Sequence, residues 1–94
     1  MYASIRRYKT TSAKEVLQHV REGFVPIISK APGFLSYSAF DASNGVVASI
    51  SVFETKAQVD ESNRLAADWV KKTVAHLLEK PEITEGDVTV HKAK

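Results

Sequence analysis

The sequence predicts an α+β fold in which one sheet carries two helices, in the order β-α-β-β-α-β. Three observations predict it. The dipeptide Asn44-Gly45 sits between two β-rich runs, 34–42 and 46–54. Two helix-start signatures, Ser12-x-x-Glu15 and Thr55-x-x-Gln58, each precede an amphipathic run. Strand-like segments open and close the chain, at 2–9 and 86–91. That order in 94 residues implies one domain spanning 1–94, with four antiparallel strands and both helices on one face of the sheet.

The first strand reads Tyr-Ala-Ser-Ile-Arg-Arg-Tyr-Lys over 2–9, and Thr10 to Ser12 breaks it. Ser12 and Glu15 form a capping box, and the helix after them carries Val16, Leu17, Val20, Phe24, Ile27 and Ile28 at three-to-four spacing. Pro26 lies within that stripe. Proline lacks an N–H and crowds the preceding turn, so a kink or restart is expected near 24–26. Pro32-Gly33 ends the segment.

Asn-Gly supplies the two positive φ angles of a tight hairpin turn. A two-residue loop would pair Ser43 with Val46, Ala39 with Ile50 and Tyr37 with Val52. One face would carry Leu35, Tyr37, Ala39, Ala48, Ile50 and Val52. The other would carry Phe34, Ser36, Ser38, Phe40, Val47, Ser49, Ser51 and Phe53. Neither face is strongly charged, whereas a sheet covered by helices on one side only ordinarily has a wet outer face. The expected cover is a second copy, giving a homodimer with its sheets face to face.

Thr55 and Gln58 open the second helix, expected over 56–78, with Val59, Ala66, Val70, Val74 and Leu77 as its buried stripe and Asn63 in the same arc. Lys80-Pro81 stops it. The last strand is expected at 86–91.

With these elements laid out, the chain resembles the antibiotic-biosynthesis-monooxygenase-like domains of the dimeric α/β-barrel, ferredoxin-like superfamily. The resemblance is carried by Phe24-Val25-Pro26-Ile27-Ile28 running into Ala31-Pro32-Gly33-Phe34, by Val52-Phe53-Glu54, and by Glu61-Ser62-Asn63-Arg64 on the long helix. These motifs punctuate structure and are not catalytic signatures. The resemblance implies a homodimer sharing a barrel, with a pocket between sheet and helices in each subunit. The activities it implies are cofactor-free oxidation of aromatic polyketides and oxygenolytic breakdown of haem. Many members of the group, especially short stand-alone ones, have no known activity.

On the first of these readings the protein is a small cofactor-independent monooxygenase-like protein that binds or acts on an aromatic, polyketide-like molecule. Such a site orients the substrate, stabilises its anion and excludes water. Asn63, Trp69, Tyr37 and Arg7 are the side chains of suitable type. Asn63 is the strongest pointer, because an amide on a buried helical arc needs partners. The alternative is a non-catalytic dimeric ligand-binding or stress-related domain, in which these groups satisfy one another in a filled core. A third reading is haem binding, in which His76, seven residues after Trp69, would ligate iron. That subgroup also uses an asparagine on the first strand, and this strand has none.

Other chemistries find no support. The chain has no cysteine, which removes thiolate metal sites, disulfides and cysteine nucleophiles. His19, His76 and His91 lie on separate elements and define no metal site. Neither a phosphate-binding glycine loop nor a Gly-x-Ser-x-Gly elbow is present. The net charge of +2 comes without a basic, aromatic-interleaved stripe, so nucleic acid is not an expected partner. With no stretch of about 18 apolar residues and no signal-like opening, a cytoplasmic protein is expected.

Overall fold

The computed structural model describes residues 1–94. The elements run β1 (Tyr2–Lys9), α1 (Ala13–His19), a π-helical turn (Val20–Phe24), α2 (Val25–Ile28), β2 (Phe34–Ser43), β3 (Val46–Phe53), α3 (Lys56–Thr73), a 3-10 turn (Ala75–Leu77) and β4 (Glu82–Asp87). The strands form one antiparallel sheet in the order β2-β3-β1-β4. This is the expected β-α-β-β-α-β architecture, and no helix is long and apolar enough to cross a membrane.

Between Ala13 and Ile28 the winding changes as Pro26 requires. Pro26 lies in the first turn of α2 and has no N–H to give. The turn before it widens, so that the Val25 N–H reaches back five residues to the Val20 carbonyl. The shift separates two residues of the predicted stripe: Ile28 is buried, whereas Ile27 is 42% exposed. The predicted box at Ser12 does not form. Its side chain makes no cap bond, and its own N–H donates to Thr10 Oγ1. The box at Thr55 forms in full, with the Gln58 N–H on Thr55 Oγ1 and the Thr55 N–H on Gln58 Oε1.

The hairpin turns as expected, with φ of 54° at Asn44 and 76° at Gly45. Its register is not the expected one. Ser43 also takes a positive φ, 70°, and its N–H donates to Asp41 Oδ1. Ala42 is thereby left as an extra residue between the pairs Asp41–Val47 and Ser43–Val46. Ser43 faces Val46 as predicted, but Ala39 pairs with Ser49 instead of Ile50, and Tyr37 with Ser51 instead of Val52. Tyr37 and Ala39 therefore share the helix side with Val47, Ser49, Ser51 and Phe53. Ser36, Ser38, Phe40, Ala48, Ile50 and Val52 form the outer side.

Two further bounds differ from expectation. The long helix ends at Thr73, because Val74 leaves helical geometry at φ −127°. The chain is then fastened to the end of β1, where Thr10 Oγ1 donates to the Leu77 carbonyl at 2.6 Å and the Glu79 N–H to the Lys9 carbonyl. The last strand lies at Glu82–Asp87, four residues before the expected start, and 88–94 form no strand. β1 dictates this, since its register pairs Arg7 with Glu82 and Tyr2 with Asp87.

The interior has two apolar clusters. Phe24, Ile28, Phe53, Val59 and Ala66 form one, and Tyr8, Val16 and Val47 the other.

Candidate functional site

Alternation along β1 turns Ser4, Arg6 and Tyr8 toward the helices, and all three are buried. Arg6 is only 6% exposed and takes part in no ion pair. Its contacts are neutral. Nε donates to the Tyr8 hydroxyl at 3.1 Å, and Nη1 donates to the backbone carbonyl and Oδ1 of Asn63, each at 3.2 Å. The guanidinium carbon also lies 5.7 Å from the centre of the Tyr8 ring.

Asn63 projects from α3 onto this strand. Its Oδ1 accepts from Ser4 Oγ as well as from Arg6, and its Nδ2 donates to Glu85 Oε2 on β4 at 2.9 Å. One amide thus ties α3 to β1 and β4, which answers the need of a polar group on that arc. The residues after it turn an aromatic wall toward the sheet. Trp69 lies 5.4 Å from Phe24 between ring centres, and Phe24 and Tyr37 form a T-shaped pair at 5.6 Å. Trp69 can approach this closely because Gly23 carries no side chain; a Cβ there would lie 3.2 Å from the indole nitrogen.

Between the two apolar clusters lies a cavity of about 50 Å³. Fifteen of its 20 lining residues are hydrophobic, so an occupant would be largely apolar. Arg6, Asn63 and Ser62 supply polar groups at the wall, and Tyr8, Tyr37 and Trp69 supply aromatic surface. Burial pushes the Tyr37 phenol up, with Ser49 and Arg6 opposing that shift. The phenol therefore stays protonated at neutral pH and can donate. A more open groove of about 280 Å³ runs past Lys71, Glu79 and Lys80, and shares Arg6, Tyr8, Val70 and Leu78 with the cavity wall.

Of the residues singled out from sequence, Asn63, Trp69 and Tyr37 come together on this cavity. Arg7 does not; it is exposed on the opposite face of the sheet, across from Ala48. His76 is exposed on the 3-10 turn and lines neither space, so no histidine faces the cavity. Arg6, Tyr8 and Ser4 are the residues that sequence reasoning passed over. A signal for Arg6 exists in the strand's alternation: Arg6 shares its face with Ser4 and Tyr8, whereas Arg7 shares the other with Lys9.

No protein-family model and no curated protein sequence matches the chain. Solved structures do match it. A mutant of SnoaB, a cofactor-independent oxygenase from Streptomyces nogalater, superposes with a TM-score of 0.76 at 10% identity, covering 99% of this chain and 97% of that one. The monooxygenase ActVA-Orf6 of Streptomyces coelicolor, in complex with nanaomycin D, gives 0.78 at 13% identity over 99% and 91%. A mutant of MhuD with two manganese protoporphyrin IX molecules in each active site gives 0.78 at 12% over the full length of both chains. The chain has the ferredoxin-like fold of the antibiotic-biosynthesis-monooxygenase-like proteins. At these identities the likeness is one of fold.

Proposed function

We propose that this ferredoxin-like protein is a small cofactor-independent monooxygenase-like protein that binds or acts on an aromatic small molecule in the cavity between its helices and sheet. The observation that carries the reading is the cavity's composition: an aromatic and aliphatic interior with Arg6 and Asn63 on its wall. SnoaB, a cofactor-independent oxygenase, and ActVA-Orf6, a monooxygenase, share the fold.

The chemistry is within reach of this set of groups. A phenol next to a benzylic CH₂ becomes electron-rich once deprotonated. Its anion can reduce O₂ and capture it at that carbon as a hydroperoxide. Loss of water then leaves a carbonyl, so CH₂ and O₂ become C=O and H₂O. The protein's part is to flatten the ring against Trp69 and Phe24, hold the oxyanion near Arg6, and keep water away.

Oxygen uptake with a hydroxylated anthrone tests this reading. One O₂ consumed per quinone formed, undiminished by a chelator, is the expected result. The second reading, ligand binding without turnover, draws on the size of the cavity. About 50 Å³ is smaller than the roughly 150 Å³ that holds a benzene ring, so any ring requires the wall to yield. Binding without oxygen uptake would favour that reading, and absence of both would overturn the first.

The functional unit we propose is a homodimer joined through the outer faces of the sheets. On that face Phe40 is 46% exposed and Ile5, Ile50 and Val52 are half-buried, with no acidic side chain on β2 or β3 among them.

A further inference from the structure

Arg6 is a buried cation without a buried anion. Removing a guanidinium from water costs several kcal/mol unless charge and hydrogen bonds compensate. Here the compensation is partial. Nε and Nη1 use their hydrogens on Tyr8 and Asn63, whereas Nη2 has no protein acceptor. Nη2 is nevertheless not a sealed orphan, since no buried side-chain nitrogen or oxygen lacks a partner. Nη2 therefore keeps some accessible surface, and the spaces that Arg6 lines are the cavity and the adjoining groove.

The charged and titratable groups around it leave this positive charge uncancelled. β1 contributes Tyr8 and β2 Tyr37, both phenols. β4 contributes Glu85, which is exposed and reaches Arg6 only through the Asn63 amide. In the groove, Glu79 stands with Lys71 and Lys80.

We infer that Arg6 is the anion-binding residue of this cavity and that the ligand it selects is an aromatic anion whose charged oxygen binds at Nη2. The inference rests on the reading of the cavity as an aromatic-ligand site and specifies the ligand's charge and the atom that receives it. A phenolate or a carboxylate would supply the oxygen, and one-ring probes ask the least yielding of a wall that encloses about 50 Å³.

Trp69 is the chain's one tryptophan and lines the cavity, so its fluorescence reports occupancy. The probes are 4-nitrophenol, benzoate and the neutral isosteres nitrobenzene and benzamide. The phenolate and carboxylate arms separate the two oxygen sources, and the tighter anion identifies the one preferred. At least tenfold tighter binding of an anion over its neutral isostere is expected. Bound 4-nitrophenol should show phenolate absorption at least one pH unit below its value in free solution. Arg6→Lys should retain most of the preference, and Arg6→Met should abolish it while still admitting the neutral ring. Equal binding of anion and isostere by the wild-type protein, or a preference that survives in Arg6→Met, overturns the inference and leaves the aromatic site standing. Failure of all four probes to bind overturns both. The wild-type comparison decides even if Arg6→Met does not fold.

Discussion

Gly33 shows how much one residue can fasten. Its φ is +77°, a region costly for any residue with a Cβ, and a Cβ built there would overlap the Gln58 side-chain amide. Gln58 is half of the capping box that starts α3, and the Gly33 carbonyl accepts from the Glu54 N–H at 3.0 Å. Gly33→Ala therefore strains the turn and displaces the cap together. The expected cost is roughly 2–3 kcal/mol, read as a lower denaturation midpoint in urea. A cost within a few tenths of that unit would mean the turn relaxes freely. Asn63 is fastened in another way, its oxygen and nitrogen both engaged, so it acts as a fixed brace for Arg6 and is not free to turn toward a ligand.

At the level of elements, the two capping signatures look alike in sequence and differ in the structure. Thr55→Ala should cost about 1 kcal/mol because it removes an accepted hydrogen bond, whereas Ser12→Ala should cost only a few tenths because its side chain caps nothing. Equal losses in urea unfolding would contradict the assignment. The same contrast explains which parts of the fold were legible. Order, turn and helix faces follow from local chemistry, and local chemistry is what sequence carries: Asn44-Gly45 turned the chain and Pro26 broke the winding. The hairpin register was not legible, because it depends on a left-handed Ser43 and on Asp41 reaching its amide. β4 was misplaced because Val88 and Val90 look more strand-like than Glu82 and Glu85, while pairing with β1 decides the matter. The site was half legible for a related reason. Residues on helical arcs, such as Asn63 and Trp69, declare their face over several turns. On β1 a choice between Arg6 and Arg7 is a choice of parity, and one step inverts it.

For the whole molecule, the outer face of the sheet governs association. At micromolar concentration, sedimentation equilibrium should give twice the chain mass, and Phe40→Glu should shift it toward the single chain by placing a carboxylate in the joint. A single-chain mass for the wild-type protein would remove the proposed dimer. How the sheet ends sideways matters as well. β2 and β4 are its two edges, and each is a row of backbone groups on which a foreign strand could grow. β4 carries Glu82, Glu85 and Asp87, whose charges repel a like neighbour. β2 has little charge, but its ladder shifts at both ends, between Phe34 and Ser36 and between Asp41 and Ser43, leaving only a short straight run for an intruder. The irregularity that re-aims Tyr37 into the cavity thus also spoils the template for fibre growth, and this chain can keep an apolar sheet face for pairing while discouraging endless edge-to-edge stacking.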